Sequence, residues 1–166
     1  AQGNVLWQSL SGEGWITDVV ELPTGELAFA GTDGFYMHFL RMSTQGALLG
    51  MRVFTGLEGG RPQIVPSSDG HVLLAPGTGP CYAPFHGQIR CFGDIDVKVM
   101  PPQVLKFDYL GQVLWHKSYG TEPGSAVDLV ATPDGGATVI GEVRRGAFDG
   151  DVTLLRIDGQ GEPLWQ

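Results

Sequence analysis

The sequence predicts an all-β fold of antiparallel four-stranded units, about three of them in a single repeat domain, and three observations carry that expectation. The 166 residues include 26 Gly and 11 Pro beside 42% hydrophobic residues, with no collagen-like period, so many tight turns must join short elements. One ten-residue frame recurs along the chain. Around it, apolar and polar residues alternate at the period of two that half-buried strands require.

The opening GNVLWQ (3–8) is the tail of that frame, and residues 3–10 are expected to form an extra outer strand carrying Trp7. The first full unit spans approximately 11–54. Its leading hairpin is DVVELPTGELAFAG (18–31), with Pro and Gly at the turn. Its second is centred on RMSTQGALLG (41–50), where Ser43 can cap the turn and Gly46, three residues on, takes a positive φ. The second unit spans approximately 62–117. There IVPSSDGHVLLAPG (64–77) follows the leading hairpin less closely, with Ile64 in place of Asp and the turn expected to slip by one residue. KFDYLGQVLW (106–115) then repeats the frame through Asp108, Gly111 and Trp115, and residues 78–98 are read as an insertion. The third unit, 125–166, restores the pattern in DLVATPDGGATVIG (128–141) and in RIDGQGEPLW (156–165), with Asp158, Gly161 and Trp165. Because Trp7, Trp115 and Trp165 recur at one repeat position, they are read as packing between neighbouring units.

Four-stranded units at intervals of roughly 43 to 65 residues have the spacing of propeller blades. The series Trp115, Asp128, Asp134-Gly135-Gly136, Gly141, Asp151, Arg156, Asp158, Gly161, Trp165 resembles the repeats of secreted and cell-surface bacterial β-propeller proteins. The resemblance covers nearly the whole chain, best in the third unit and least in the second. It implies a structural repeat and offers no catalytic residue to carry over. Three units fall below the roughly four to eight that close a ring. The expectation is therefore a stretch of a longer array, a subunit completed by another copy, or an open stack whose edges are covered.

Ten basic against eighteen acidic side chains give a net charge of −8, which repels phosphate backbones, so no nucleic-acid partner is expected. Apolar runs such as HVLLAP fall far short of the ~20 residues of a membrane helix, and no membrane insertion is expected. Cys81 and Cys91 bracket nine residues, YAPFHGQIR, and are read as a disulfide. That reading places the protein outside the cytoplasm, in the extracellular space, on the cell surface or in the periplasm. Two free thiols, or a metal pair with His86, are the competing readings.

Binding is expected on the stapled insertion, through Tyr82, Phe85, His86 and Arg90, since aromatic and Arg side chains on a rigid loop are hot-spot types. The competing reading has Tyr82 and Phe85 merely covering a sheet edge. Asp33, Asp94, Asp96, Asp149 and Asp151 are read as turn caps and solvated loop residues. Calcium is the alternative, without an EF-hand loop to accompany it, and no other cofactor is expected. His38, His71, His86 and His116 are scattered, and G-x-S-x-G, H-E-x-x-H and Walker patterns do not occur. No catalytic residue is assigned. The expected function is a non-enzymatic extracytoplasmic binding or scaffolding module, working through loops and exposed sheet edges on a protein partner, another copy of itself, or flanking repeats. A carbohydrate-binding lectin with a glycan partner, and a fragment of a larger propeller enzyme, are the alternatives.

Overall fold

A computed structural model describes residues 7–8, 14–33, 36–55, 57, 60–77, 81–82, 90–91, 101–122, 124–146 and 149–166, with backbone alone at 81–82, 90–91, 144–146 and 149. These residues form strands and no helix. The first sheet is a meander of β1 (Trp15–Glu21), β2 (Leu27–Thr32), β3 (Met37–Met42) and β4 (Leu48–Phe54). Next come β5 (Gln63–Pro66), β6 (Val72–Ala75), β7 (Cys81–Tyr82), β8 (Arg90–Cys91), β9 (Gln103–Phe107) and β10 (Val113–Ser118). Of these, β5-β6-β9-β10 make the second sheet, while β7 and β8 pair as a separate ribbon between β6 and β9. The third sheet is again a meander, β11 (Gly124–Ala131), β12 (Ala137–Gly146), β13 (Asp149–Ile157) and β14 (Pro163–Trp165). Among the described residues all strand pairings are antiparallel and no sheet closes on itself.

One turn chemistry closes the leading hairpins. Leu22 N donates to Glu26 O (2.8 Å) and Gly25 N to Leu22 O (2.8 Å); Thr132 and Gly135 repeat both bonds at 3.0 Å. The slip expected in the second unit is absent, because Ser67 N bonds to His71 O (2.8 Å) and Gly70 N to Ser67 O (3.3 Å) in the same frame. A glycine at φ near +80° sits two residues before the following strand in all three, and it sets the turn. What moves is the proline. Pro23 and Pro133 are second in their turns, whereas Pro66 ends β5, where a fixed φ is equally tolerated.

In the second hairpin of each unit a side-chain oxygen gathers the turn amides. Asp108 Oδ1 accepts from Leu110 N (2.8 Å) and Gln112 N (2.9 Å), Asp158 Oδ1 from Gln160 N (2.9 Å) and Glu162 N (2.8 Å), and Ser43 Oγ from Gln45 N and Ala47 N (both 3.2 Å). The ionised carboxylate makes the shorter pairs, as charge-assisted acceptors do.

Period-two alternation splits the second sheet between two cores. Val72, Leu74, Leu105 and Phe107 face the first sheet, where they meet Ala28, Ala30, Met37, Phe39 and Phe54. Leu73, Ala75 and Val104 face the third, where they meet Ala126, Leu129, Ala137, Val139, Leu155 and Ile157. Phe107 closes the first core against Phe39 edge-on, with ring centroids 4.7 Å apart. The three sheets therefore stack in chain order, the second burying one face against the first and the other against the third.

Candidate functional site

Polar side chains cross both junctions from one sheet to the turns or edge of the next. From the first sheet, Asp18 takes Val19 N on Oδ1 (2.8 Å) and Ile64 N of the second sheet on Oδ2 (2.8 Å). Thr17 Oγ1 donates to Pro62 O (2.6 Å), and Arg52 Nε to Leu110 O (3.1 Å). From the second sheet, Lys106, only 2% exposed, donates to Asp69 Oδ2 (2.6 Å) within its own sheet and to Gly135 O (2.8 Å) and Gly159 O (2.9 Å) in two turns of the third. Tyr119 Oη donates to Gly161 O (3.0 Å), and Ser67 Oγ to Gly135 O (3.0 Å). The buried ammonium thus has three acceptors, which is what keeps a charge tolerable there.

The ring of the repeat tryptophan has a seat on the following turn. Trp115 Nε1 donates to Gly159 O (3.2 Å), and a Cβ placed on Gly161 would lie 3.0 Å from its ring. Trp7 Nε1 donates to Thr44 O (2.8 Å), and a Cβ on Gly46 would meet its ring at 2.7 Å. Both glycines have φ near +80°, so each is required twice, by the turn and by the indole. In the first unit Gly50 occupies the tryptophan position, and the stem of Arg52, two residues on, covers Gly111 instead. Trp165 is 52% exposed, and among the described residues no turn lies beneath it.

Electrostatics follow from the same contacts. Burial alone raises the Asp69 carboxyl, but hydrogen bonds from Lys106, His71 and Ser67, with the Lys106 charge, hold it down at about 2. Hydrogen bonds from Arg156, Thr132 and Gly136 N hold Asp134 well below the usual carboxylate range. Burial, then the charges of Glu162 and Asp158, pushes the Tyr119 phenol far up. Burial lowers His116, whose Nε2 lies 2.9 Å from Gln103 Oε1.

Of the residues singled out for binding, Phe85, His86, Asp94 and Asp96 lie outside the described residues, as do the side chains of Tyr82, Arg90, Cys81, Cys91 and Asp149. The backbone sets Cys81 opposite Cys91 and Tyr82 opposite Arg90 in the β7–β8 ribbon. Asp33 caps its loop, Oδ1 accepting from Tyr36 N (2.8 Å) and Oδ2 lying 3.2 Å from His38 Nε2. Asp151 lines an open cleft of about 480 Å³ at the edge of the third sheet, with Tyr119, Glu122, Thr153 and Gln166 among its walls. Among the described residues no three metal-ligating side chains come together. Sequence reasoning missed Lys106, Asp18, Arg52 and Tyr119; the recurrent basic residue opening the ten-residue frame was the signal for the first.

The outermost strands show a different surface. Leu48, Leu49, Met51 and Val53 on β4, Val113 and Leu114 on β10, and Leu164 on β14 are exposed.

No protein-family model matches the sequence, and no curated protein does. A solved structure of a protein of unknown function from Bacteroides caccae is similar at 18% identity over 97% of this chain and 70% of that one, with a TM-score of 0.38.

Proposed function

We propose that the chain is a non-enzymatic, extracytoplasmic binding or scaffolding module of propeller type, each four-stranded sheet acting as a blade and a protein partner being engaged along the outer strands. The observation that carries this reading is the apolar display on β4, β10 and β14. An outermost strand has one row of N–H and C=O groups without a strand partner, and apolar side chains beside that row suit an added extended segment. Clustered exposed apolar side chains mark interaction surfaces. The perturbed ionisable groups Asp69, Asp134 and Tyr119 hold turns and junctions, which fits a scaffold.

A phage-displayed library of random peptides tests the reading. Enrichment of extended apolar peptides that no longer bind a Leu49→Lys/Met51→Lys variant of unchanged melting temperature is expected. Binding on a glycan array without peptide enrichment would favour the lectin instead.

A further inference from the structure

On the face of the third sheet turned away from the second, Ile140, Val152 and Leu154 are exposed, and Arg156 and Trp165 share one cross-strand row. This face also repeats the polar groups that the earlier sheets send forward. Arg156 occupies the frame position of Lys106 and reaches its own leading turn at Asp134 Oδ2 (2.7 Å), as Lys106 reaches Asp69; its remaining bonds go to carbonyls of its own sheet, at Ala137 and Ile157. Asp128 Oδ1 accepts from Leu129 N (2.8 Å) as Asp18 Oδ1 accepts from Val19 N, but Asp18 Oδ2 goes on to Ile64 N of the next sheet, and Asp128 Oδ2 has no donor among the described residues. Trp165 is the third repeat tryptophan, and Trp7 and Trp115 are each seated on a turn of the following sheet.

We propose that this face is half of a fourth junction whose occupant is a further four-stranded unit of this same repeat, linked in cis; the inference rests on the blade reading above. Such an occupant must offer a strand N–H to Asp128, turn carbonyls to Arg156, and a positive-φ glycine with a carbonyl two residues before it to Trp165. The repeat unit supplies all three together. A second copy fits worse, because in every copy the Gly46 seat that Trp165 would need already holds that copy's own Trp7. Trp7 also shows the seat being filled from within the chain.

The matching ends allow a test in register. Both GNVLWQ and GEPLWQ end in Trp-Gln, so joining Gln166 to Ser9 of a second chain puts Trp165 where Trp7 stands. Hydroxyl-radical footprinting of this fusion contains its own control, since tryptic peptides separate the junction Trp165, which runs on into Ser9, from the C-terminal one. Severalfold lower oxidation at the junction is expected; equal oxidation in a folded fusion overturns the proposal. In the unfused chain Trp115→Ala should lower the melting temperature and Trp165→Ala should leave it unchanged. An equal loss from both would mean that Trp165 already has a seat, and a dimer of the unfused chain with Trp165 protected would overturn the linkage in cis. None of these measurements involves peptide binding, so failure of the junction and failure of the proposed binding function are told apart.

Discussion

Lys106 Nζ lies 2.6 Å from Asp69 Oδ2, both residues belonging to the second sheet, yet the same ammonium caps two turn carbonyls of the third. Replacing it with Met keeps the volume and removes its donors from Gly135 O and Gly159 O. A loss of about 2 kcal/mol is expected, the range for hydrogen bonds to a charged group, because Gly135 O keeps Ser67 Oγ and Gly159 O keeps Trp115 Nε1 while the partly exposed Asp69 loses its cation. Urea unfolding should show it as a lower midpoint at unchanged slope, with Lys106→Arg retaining part of the stability.

Acid should act through Asp69. Its folded pKa, about 2, lies below the ordinary value of 3.8, so the associated stability is fully present above about pH 4 and is lost as pH falls towards 2. The side chain is 40% exposed, so after discounting for solvent screening the contribution is about 1 kcal/mol. Unfolding midpoints measured from pH 5 to pH 2 should converge for the wild type and Asp69→Asn; a constant gap would locate the acid sensitivity elsewhere.

Two glycines with nearly the same φ separate backbone strain from the indole seat. Gly25 (φ 80°) has nothing within 4 Å of a would-be Cβ, whereas Gly161 (φ 75°) has the Trp115 ring at 3.0 Å. Gly25→Ala should lose about 1–2 kcal/mol from left-handed strain alone. Gly161→Ala should lose clearly more, and Trp115→Ala in its background should recover the difference in calorimetric melting.

Cys81 and Cys91 are paired opposite each other in the ribbon, a placement that suits a bridge. Unreduced protein is expected to be lighter than reduced protein by two hydrogens, with negligible thiol labelling. A loop this short gives the bridge about 2–3 kcal/mol, so Cys→Ser variants should fold and melt at lower temperature. Stoichiometric labelling of both sulfurs would remove the argument for an oxidising compartment.

The hairpins were legible because their chemistry is local. Asp108 bonds residues two and four positions on, and Gly111 follows at a fixed offset, so a ten-residue window contains the whole motif. Ile64 misled: the register puts Gln63, opposite Ala75, where Asp18 stands opposite Ala30, and that one-residue offset accounts for the expected slip. The junctions were not legible in the same way. Lys106 meets carbonyls 29 and 53 residues away, and those pairings exist only once two sheets are stacked. Arg52 was hidden for another reason: it fills the tryptophan's place from two residues out of frame. The expected binding loop is out of the repeat altogether, where periodicity carries no information.

Synthesis from the N-terminus gives the forward-pointing junctions an order in time. When Trp115 leaves the ribosome, the turn at 159–161 that will hold it has not been made, and Lys106 likewise waits for the carbonyls of Gly135 and Gly159. A nascent chain paused between residues 120 and 158 therefore displays a buried-type lysine and an indole with nowhere to go. The first two units are each completed by their successor, and the vulnerable surface during translation is the most recent one.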